Sequence, residues 1–194
     1  MKIKDTIVAG VLAGWSGNVV KETFTWSFHY IGWVRYTFVH IAAGFYYSIE
    51  NLNAPLSLVT GAITDWTIAG TFGTILLLLL RYTGIDYAIF KGIGLGALVY
   101  IITFGIGMAM DISRASLLTP LPDFLLLMSH LAIGGMSGWA LQKYFSQAVN
   151  VRSGEAHQKE KQLSRLSGKL PRVEDKMKVI KPIKLYSKKG KDKI

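Results

Sequence analysis

Asn18, Lys21, Glu22, Asp65 and His130 stand out in this 194-residue chain because each sits inside or beside a long apolar run. A charge at the centre of a bilayer costs about 2.5–3.5 kcal/mol even on generous insertion scales, so such a residue faces protein and finds a partner. Gly14, Asn18 and Lys21 share one helical face through i, i+4 and i+3 spacing. Asp65 needs a donor, and Lys21 or His130 is the expected one. Gathered in one half of a membrane, the five residues form a candidate proton or cation site for transport. The reading preferred over transport is interhelical glue around a neutralised, hydrogen-bonded Asp65.

Other chemistry is harder to build from this sequence. The chain has no cysteine, which excludes a disulfide framework, a thiolate metal site and a Cys nucleophile. Of its four histidines, His29 and His40 would lie roughly 16 Å apart on one continuous helix, too far to share a metal. His130 has no second histidine on its helix, and His157 lies near the basic end. No HExxH, ExxH or CxxCH pattern is present, so no metal or cofactor is expected. No phosphate loop, Ser-His-Asp order or paired-carboxylate cleft is visible. The polar connection around Asp111, Ser113, Arg114, Ser116 and Asp123 is ordinary loop composition, and a lipid-modifying enzyme built on it ranks third among the readings.

The elements that must position these residues are helices in a membrane. A span needs about 20 mostly apolar residues, and three windows supply them: Leu56–Leu80, Gly92–Met110 and Phe124–Gln142. Unpaired backbone amides are not tolerated in lipid, and no alternating pattern suggests a barrel, so the spans are helical. A fourth, less clean span runs near 5–28, where Lys21 and Glu22 interrupt an apolar stretch that superficially resembles a signal peptide. The expected helices are 5–28, 56–81, 90–110 and 123–143 within a transmembrane domain of residues 1–143. Pro120 and Pro122 are expected in the connection that ends the third span, and Thr83-Gly84 in a turn that makes the second and third spans an antiparallel hairpin.

Residues 24–47 hold ten of the chain's aromatics, together with His29, Arg35 and His40. Trp and Tyr concentrate at membrane interfaces, so an interfacial or re-entrant helix near 33–49 is expected, with a fifth span as its rival. Glycine marks every span at small-xxx-small spacing, which lets helix backbones approach closely. Gly10, Gly14 and Gly17, Gly92 and Gly96, and Gly134 and Gly138 are the expected packing positions.

Charge sets the topology. Residues 1–142 carry seven Lys/Arg and seven Asp/Glu, whereas residues 143–194 carry fifteen against five, so the net charge of +10 belongs to the last quarter. By the positive-inside rule, four spans with both ends in the cytosol keep this tail inside, as residues 144–194. The tail reads as largely disordered, with a helix over Glu155–Leu170. Lys159, Lys161, Arg165, Lys169, Arg172, Lys188 and Lys189 are its expected contacts with anionic lipid headgroups, or with a membrane or cytosolic protein. Only Tyr186 offers a stacking aromatic in the distal tail, which argues against nucleic acid.

The Gly-rich first span ending in Lys21, Lys91-Gly92-Ile93-Gly94-Leu95-Gly96-Ala97-Leu98, Leu118-Thr119-Pro120-Leu121-Pro122 and Ser129-His130-Leu131 together resemble the small bacterial inner-membrane proteins of the YagU type. The likeness covers roughly residues 5–143. It implies a helical bundle in a bacterial plasma membrane and carries no catalytic residue across. The long aromatic segment and the basic tail depart from that pattern.

The sequence thus predicts an all-α integral membrane protein: a four-transmembrane-helix bundle, an interfacial aromatic helix and a basic tail. A non-enzymatic scaffold or accessory subunit is the leading function. A small transporter or channel using Asp65 and His130 comes second, and four spans without an internal repeat would have to oligomerise to transport.

Overall fold

The computed structural model describes residues 5–107, 110, 112–115 and 119–149. All lie in Met1–Arg152, the first of two units into which the chain divides. The helix expected at Glu155–Leu170 and the seven tail contacts, Lys159 to Lys189, fall outside the described residues.

Among those residues there are six α-helices and no strand: α1 Thr6–Tyr30, α2 Phe38–Ala43, α3 Pro55–Thr83, α4 Ala88–Tyr100, α5 Pro120–Tyr144 and α6 Ser146–Val149. A π-helical run, Ile101–Ile106, continues α4. Three helices, Pro55–Thr83, Ala88–Ile106 and Pro120–Tyr144, are long and apolar enough to cross a membrane. Their outward faces are apolar as well; α3 alone exposes Leu56, Val59, Ile63, Ile68, Ile75 and Leu78. α1 has 25 residues, enough in length, and is less apolar than the other three.

α1 begins where Asp5 caps it, its carboxylate accepting from the Ile7 and Val8 amides at 2.8 and 3.0 Å. It ends in a Schellman turn. Gly32 takes a positive φ of 78°, and the Trp33 and Gly32 amides donate back to Phe28 and His29. Phe28 and Trp33 stack across this turn at 6.3 Å. The turn sends the chain back against the helices it has just left, and Val34 and Tyr36–Gly44 are buried there.

The interfacial or re-entrant helix expected near 33–49 is shorter than that: its α-helix is Phe38–Ala43, inserted between helices, and a 3-10 turn follows at Ile49–Asn51. Thr37 and His40 form a capping box at the start of the α-helix. At its end Ser113 donates to the Ile41 carbonyl at 2.8 Å. Contact with α3 is intimate: a Cβ on Gly61 would fall 2.2 Å from the Val39 carbonyl oxygen. The aromatic richness of this stretch therefore has two causes. Tyr30, Trp33 and Tyr46 remain exposed, while Tyr36 and Phe38 are core residues.

α1 is the central helix, packed on α3 along one side and on α5 along another, with α4 against the far side of α5. The expected α3–α4 hairpin is correspondingly weak; their short turn joins them, but α4 packs far more on α5 than on α3. Glycine makes these seams close. A Cβ on Gly14 would lie 2.0 Å from the Ala69 oxygen, and one on Gly73 would lie 2.1 Å from the Gly10 oxygen. Gly17 instead meets α5, at Ser137 and Ile133. Between α4 and α5, Gly92 and Gly134 face each other, a Cβ on either falling 2.1 Å from the other's carbonyl oxygen. Gly96 and Gly138 lie as tightly against the His130 and Ala88 carbonyls.

Pro120 and Pro122 are also placed differently from expectation. They open α5 rather than terminate the preceding span, because proline in the first helical turn sacrifices only an amide that has no intrahelical acceptor. At the other end of the bundle Arg81 donates to the Ala148 carbonyl and to Thr6 Oγ1. Lys91 caps the α3 terminus by donating to the Thr83 and Gly84 carbonyls.

Candidate functional site

In the first half of α1 the inward face is glycine and alanine, and the helix touches its neighbours backbone to backbone. From Asn18 onward the same face carries Asn18, Lys21, Glu22 and Thr25, all buried. Opposite them, ten residues into α3, stands Asp65, 6% exposed. Lys21 Nζ donates to Asp65 Oδ1, and Asn18 Nδ2 donates to Oδ2 at 2.9 Å. Both Asp65 oxygens are thus occupied by donors of α1, and the two helices are joined by an ion pair and a neutral hydrogen bond. Of the two expected donors Lys21 is the one used, and Asn18 is a second donor beside it.

His130 does not reach Asp65. Its Nδ1 lies 3.1 Å from the Leu126 carbonyl one turn back on α5, where it donates. The ring is packed among Phe38 at 4.7 Å, Tyr100 at 5.4 Å and Phe104 at 5.6 Å. Phe38 also covers Lys21, with Nζ 4.3 Å from the ring centroid, a cation–π contact that closes the ammonium from above. So the re-entering segment supplies the lid of the cluster, and His130 belongs to the wall behind it. The π-helical run after α4 turns Phe104 inward to complete this wall.

Glu22 is the residue left over. Its Oε1 lies 3.4 Å from Lys21 Nζ, near enough for attraction, yet neither buried carboxylate oxygen makes a hydrogen bond of good geometry, the Lys21 and Trp26 side chains being its neighbouring donors. Asn18 Oδ1 is similarly unpartnered. The cluster therefore holds two carboxyl groups against one ammonium, with acceptors outnumbering donors. Such a site is one positive charge short, and a buried charge without a partner is strongly disfavoured.

A second polar feature follows from the same fold-back. The rings of His29 and His40 lie 5.5 Å apart, far closer than one continuous helix would allow, because the Gly32 turn brings α2 alongside the end of α1. Their nitrogens are largely occupied. His29 Nδ1 donates to the Val34 carbonyl at 3.0 Å. His40 Nδ1 accepts from Thr37, and its Nε2–H donates to Asn53 Oδ1 at 3.1 Å. Burial, reinforced by neighbouring His29, holds the His40 imidazole below the ordinary value of 6.5. The pair is a structural bridge between α1, α2 and the chain before α3. Among the described residues no group of three or more His, Cys, Asp or Glu converges on a point suited to a metal.

Of the residues singled out from sequence, the structure brings together Asn18, Lys21, Glu22 and Asp65, and places His130 one ring away. Phe38 is the member that sequence reading missed, and nothing in its local pattern separates it from its aromatic neighbours. No protein-family model, no curated protein and no solved structure matches this chain.

Proposed function

We propose that the chain is a four-span protein of a bacterial plasma membrane with both ends in the cytosol, acting as a non-enzymatic scaffold or accessory subunit. Its lipid-facing helices would meet a partner, and its basic tail would hold anionic headgroups or a cytosolic protein. The observation that carries this reading is the state of Asp65. Both of its oxygens are taken by α1 and the cluster is roofed by Phe38, so the most conspicuous polar residues join helices. The resemblance to YagU-type proteins supports the membrane, and the fifteen Lys/Arg after residue 142 support the cytosolic tail.

Purification of the full chain from membranes in a mild non-ionic detergent, with native mass and identification of co-purifying subunits, tests the proposal. A stoichiometric heteromeric complex is the expected result. A homo-oligomer whose proton or ion flux is abolished by Asp65→Asn would replace it with transport, the second reading. That alternative draws on the excess of carboxyl groups over ammonium in the cluster.

A further inference from the structure

Beside the cluster, α1, α2 and α3 enclose an open groove of about 390 Å³, lined by Glu22, Trp26, Val39, Val59, Ala62 and Trp66 among others. Apart from the carboxylate its walls are hydrocarbon and indole. Three properties meet there. Glu22 is 9% exposed, and its two buried oxygens make no hydrogen bond of good geometry. The nearest cation, Lys21, is already bound to Asp65, leaving the pair of carboxyl groups one positive charge short. Two tryptophans, the ring with the strongest attraction for cations, stand in the same lining as the carboxylate.

We propose that this groove binds a lipophilic organic cation, a tertiary or quaternary ammonium or phosphonium with an apolar body, entering from the lipid side. Glu22 supplies the counter-charge, Trp26 and Trp66 supply the π faces, and Val39, Val59 and Ala62 hold the hydrocarbon. A metal ion or hydrated inorganic cation fits poorly, because the lining offers one carboxylate and no further oxygen ligands.

Charge balance couples occupancy to a proton. With the groove empty, one carboxyl group of the cluster carries a proton. When the cation enters, Glu22 becomes a carboxylate paired with it, and that proton passes to water, so one positive charge replaces another. Lys21 on its own helix and Asp65 on α3 are the charged groups of the Glu22 cluster; His29 on α1 and His40 on α2 pack against Trp26, and His130 on α5 lies behind Phe38. The proposal rests on the membrane reading above and is independent of the accessory role.

Isothermal titration of the full chain in mild detergent with tetraphenylphosphonium is the test. Saturable binding near one per chain is expected, weakening as the pH is lowered. The measured heat should change with the ionisation enthalpy of the buffer, reporting the released proton. Glu22→Gln should weaken binding by roughly tenfold or more, the loss of a charged partner, while keeping the parent's thermal midpoint. Should Glu22→Gln fail to fold, Val59→Trp serves instead: position 59 lines the groove and is 56% exposed, so an indole there occupies the space. It too should abolish binding. The proposal is overturned by absence of saturable binding to the parent, by unchanged affinity in either folded variant, or by equally tight, Glu22-dependent binding of neutral triphenylphosphine oxide. Cation binding by a chain that co-purifies with no subunit would remove the accessory role and leave this site standing. A heteromeric complex that binds no cation would do the reverse.

Discussion

The two halves of α1 solve the same packing problem with opposite chemistry. Near Gly10 and Gly14 the helix meets α3 so closely that a single added carbon would collide with backbone. Near Asn18 and Lys21 it meets α3 through long side chains converging on Asp65, with α2 inserted close by. In lipid the hydrophobic effect does not press helices together, so contact must come from dense packing or from polar groups that have no better partner. Where nothing lies between the helices, glycine suffices. Where a third segment enters, polar side chains bridge the gap.

The sharpest way to break the glycine half is Gly73→Val. The new side chain would overlap the Gly10 carbonyl and the Gly14 backbone, which cannot move aside as a flexible side chain would. A loss of at least about 3 kcal/mol, seen as a collapsed thermal midpoint in detergent, is expected.

On the polar half, Phe38→Ala removes the ring shared by Lys21, Phe104 and His130. Its cost should be about 3 kcal/mol from lost packing. The midpoint should fall without dissociation of the α4–α5 seam, which crosslinking of cysteines placed on α4 and α5 would check.

A smaller effect separates the histidine bridge from both. His40 is held neutral, so its contribution to stability is present above its ordinary value of 6.5 and is lost as the pH falls from there toward its lowered native value. The thermal midpoint should therefore drop between about pH 7 and pH 5, and His40→Gln should flatten that slope.

Smallest, and of opposite sign, is Gly94→Ala. Gly94 is exposed, with nothing within 4 Å of an added carbon. The change should raise stability by up to about 1 kcal/mol through helix propensity alone. A large loss there would show that spacing between glycines, rather than what they touch, decides their role.

The glycine half was the more legible in sequence. Small-xxx-small spacing marks the faces, although it did not reveal that Gly17 turns to α5 while Gly10 and Gly14 turn to α3, since that choice depends on where three helices sit. Apolar length likewise marked the spans. In the polar half, an aspartate in an apolar run demands a donor, and Lys21 answers it; local spacing was enough to nominate both. The lid could not be read in the same way. Phe38 reaches Lys21 only because Gly32 adopts a left-handed conformation and because Gly61 and Ser113, distant in the chain, receive α2. Interfacial preference and core packing draw on the same aromatic residues, so composition could not tell Trp33 from Phe38. The separation expected between His29 and His40 failed for the same reason, having assumed a helix that the Gly32 turn ends.

Whether Lys21 and Asp65 act as one unit is best measured by a double-mutant cycle of Lys21→Met and Asp65→Leu, followed by thermal unfolding in detergent. Lys21→Met should cost about 3–5 kcal/mol, because it leaves buried carboxyl groups without their cation, and Asp65→Leu should cost less, because Glu22 remains 3.4 Å from Lys21 Nζ. The double variant should cost clearly less than the sum of the two. Costs that simply add would contradict a buried clamp between α1 and α3.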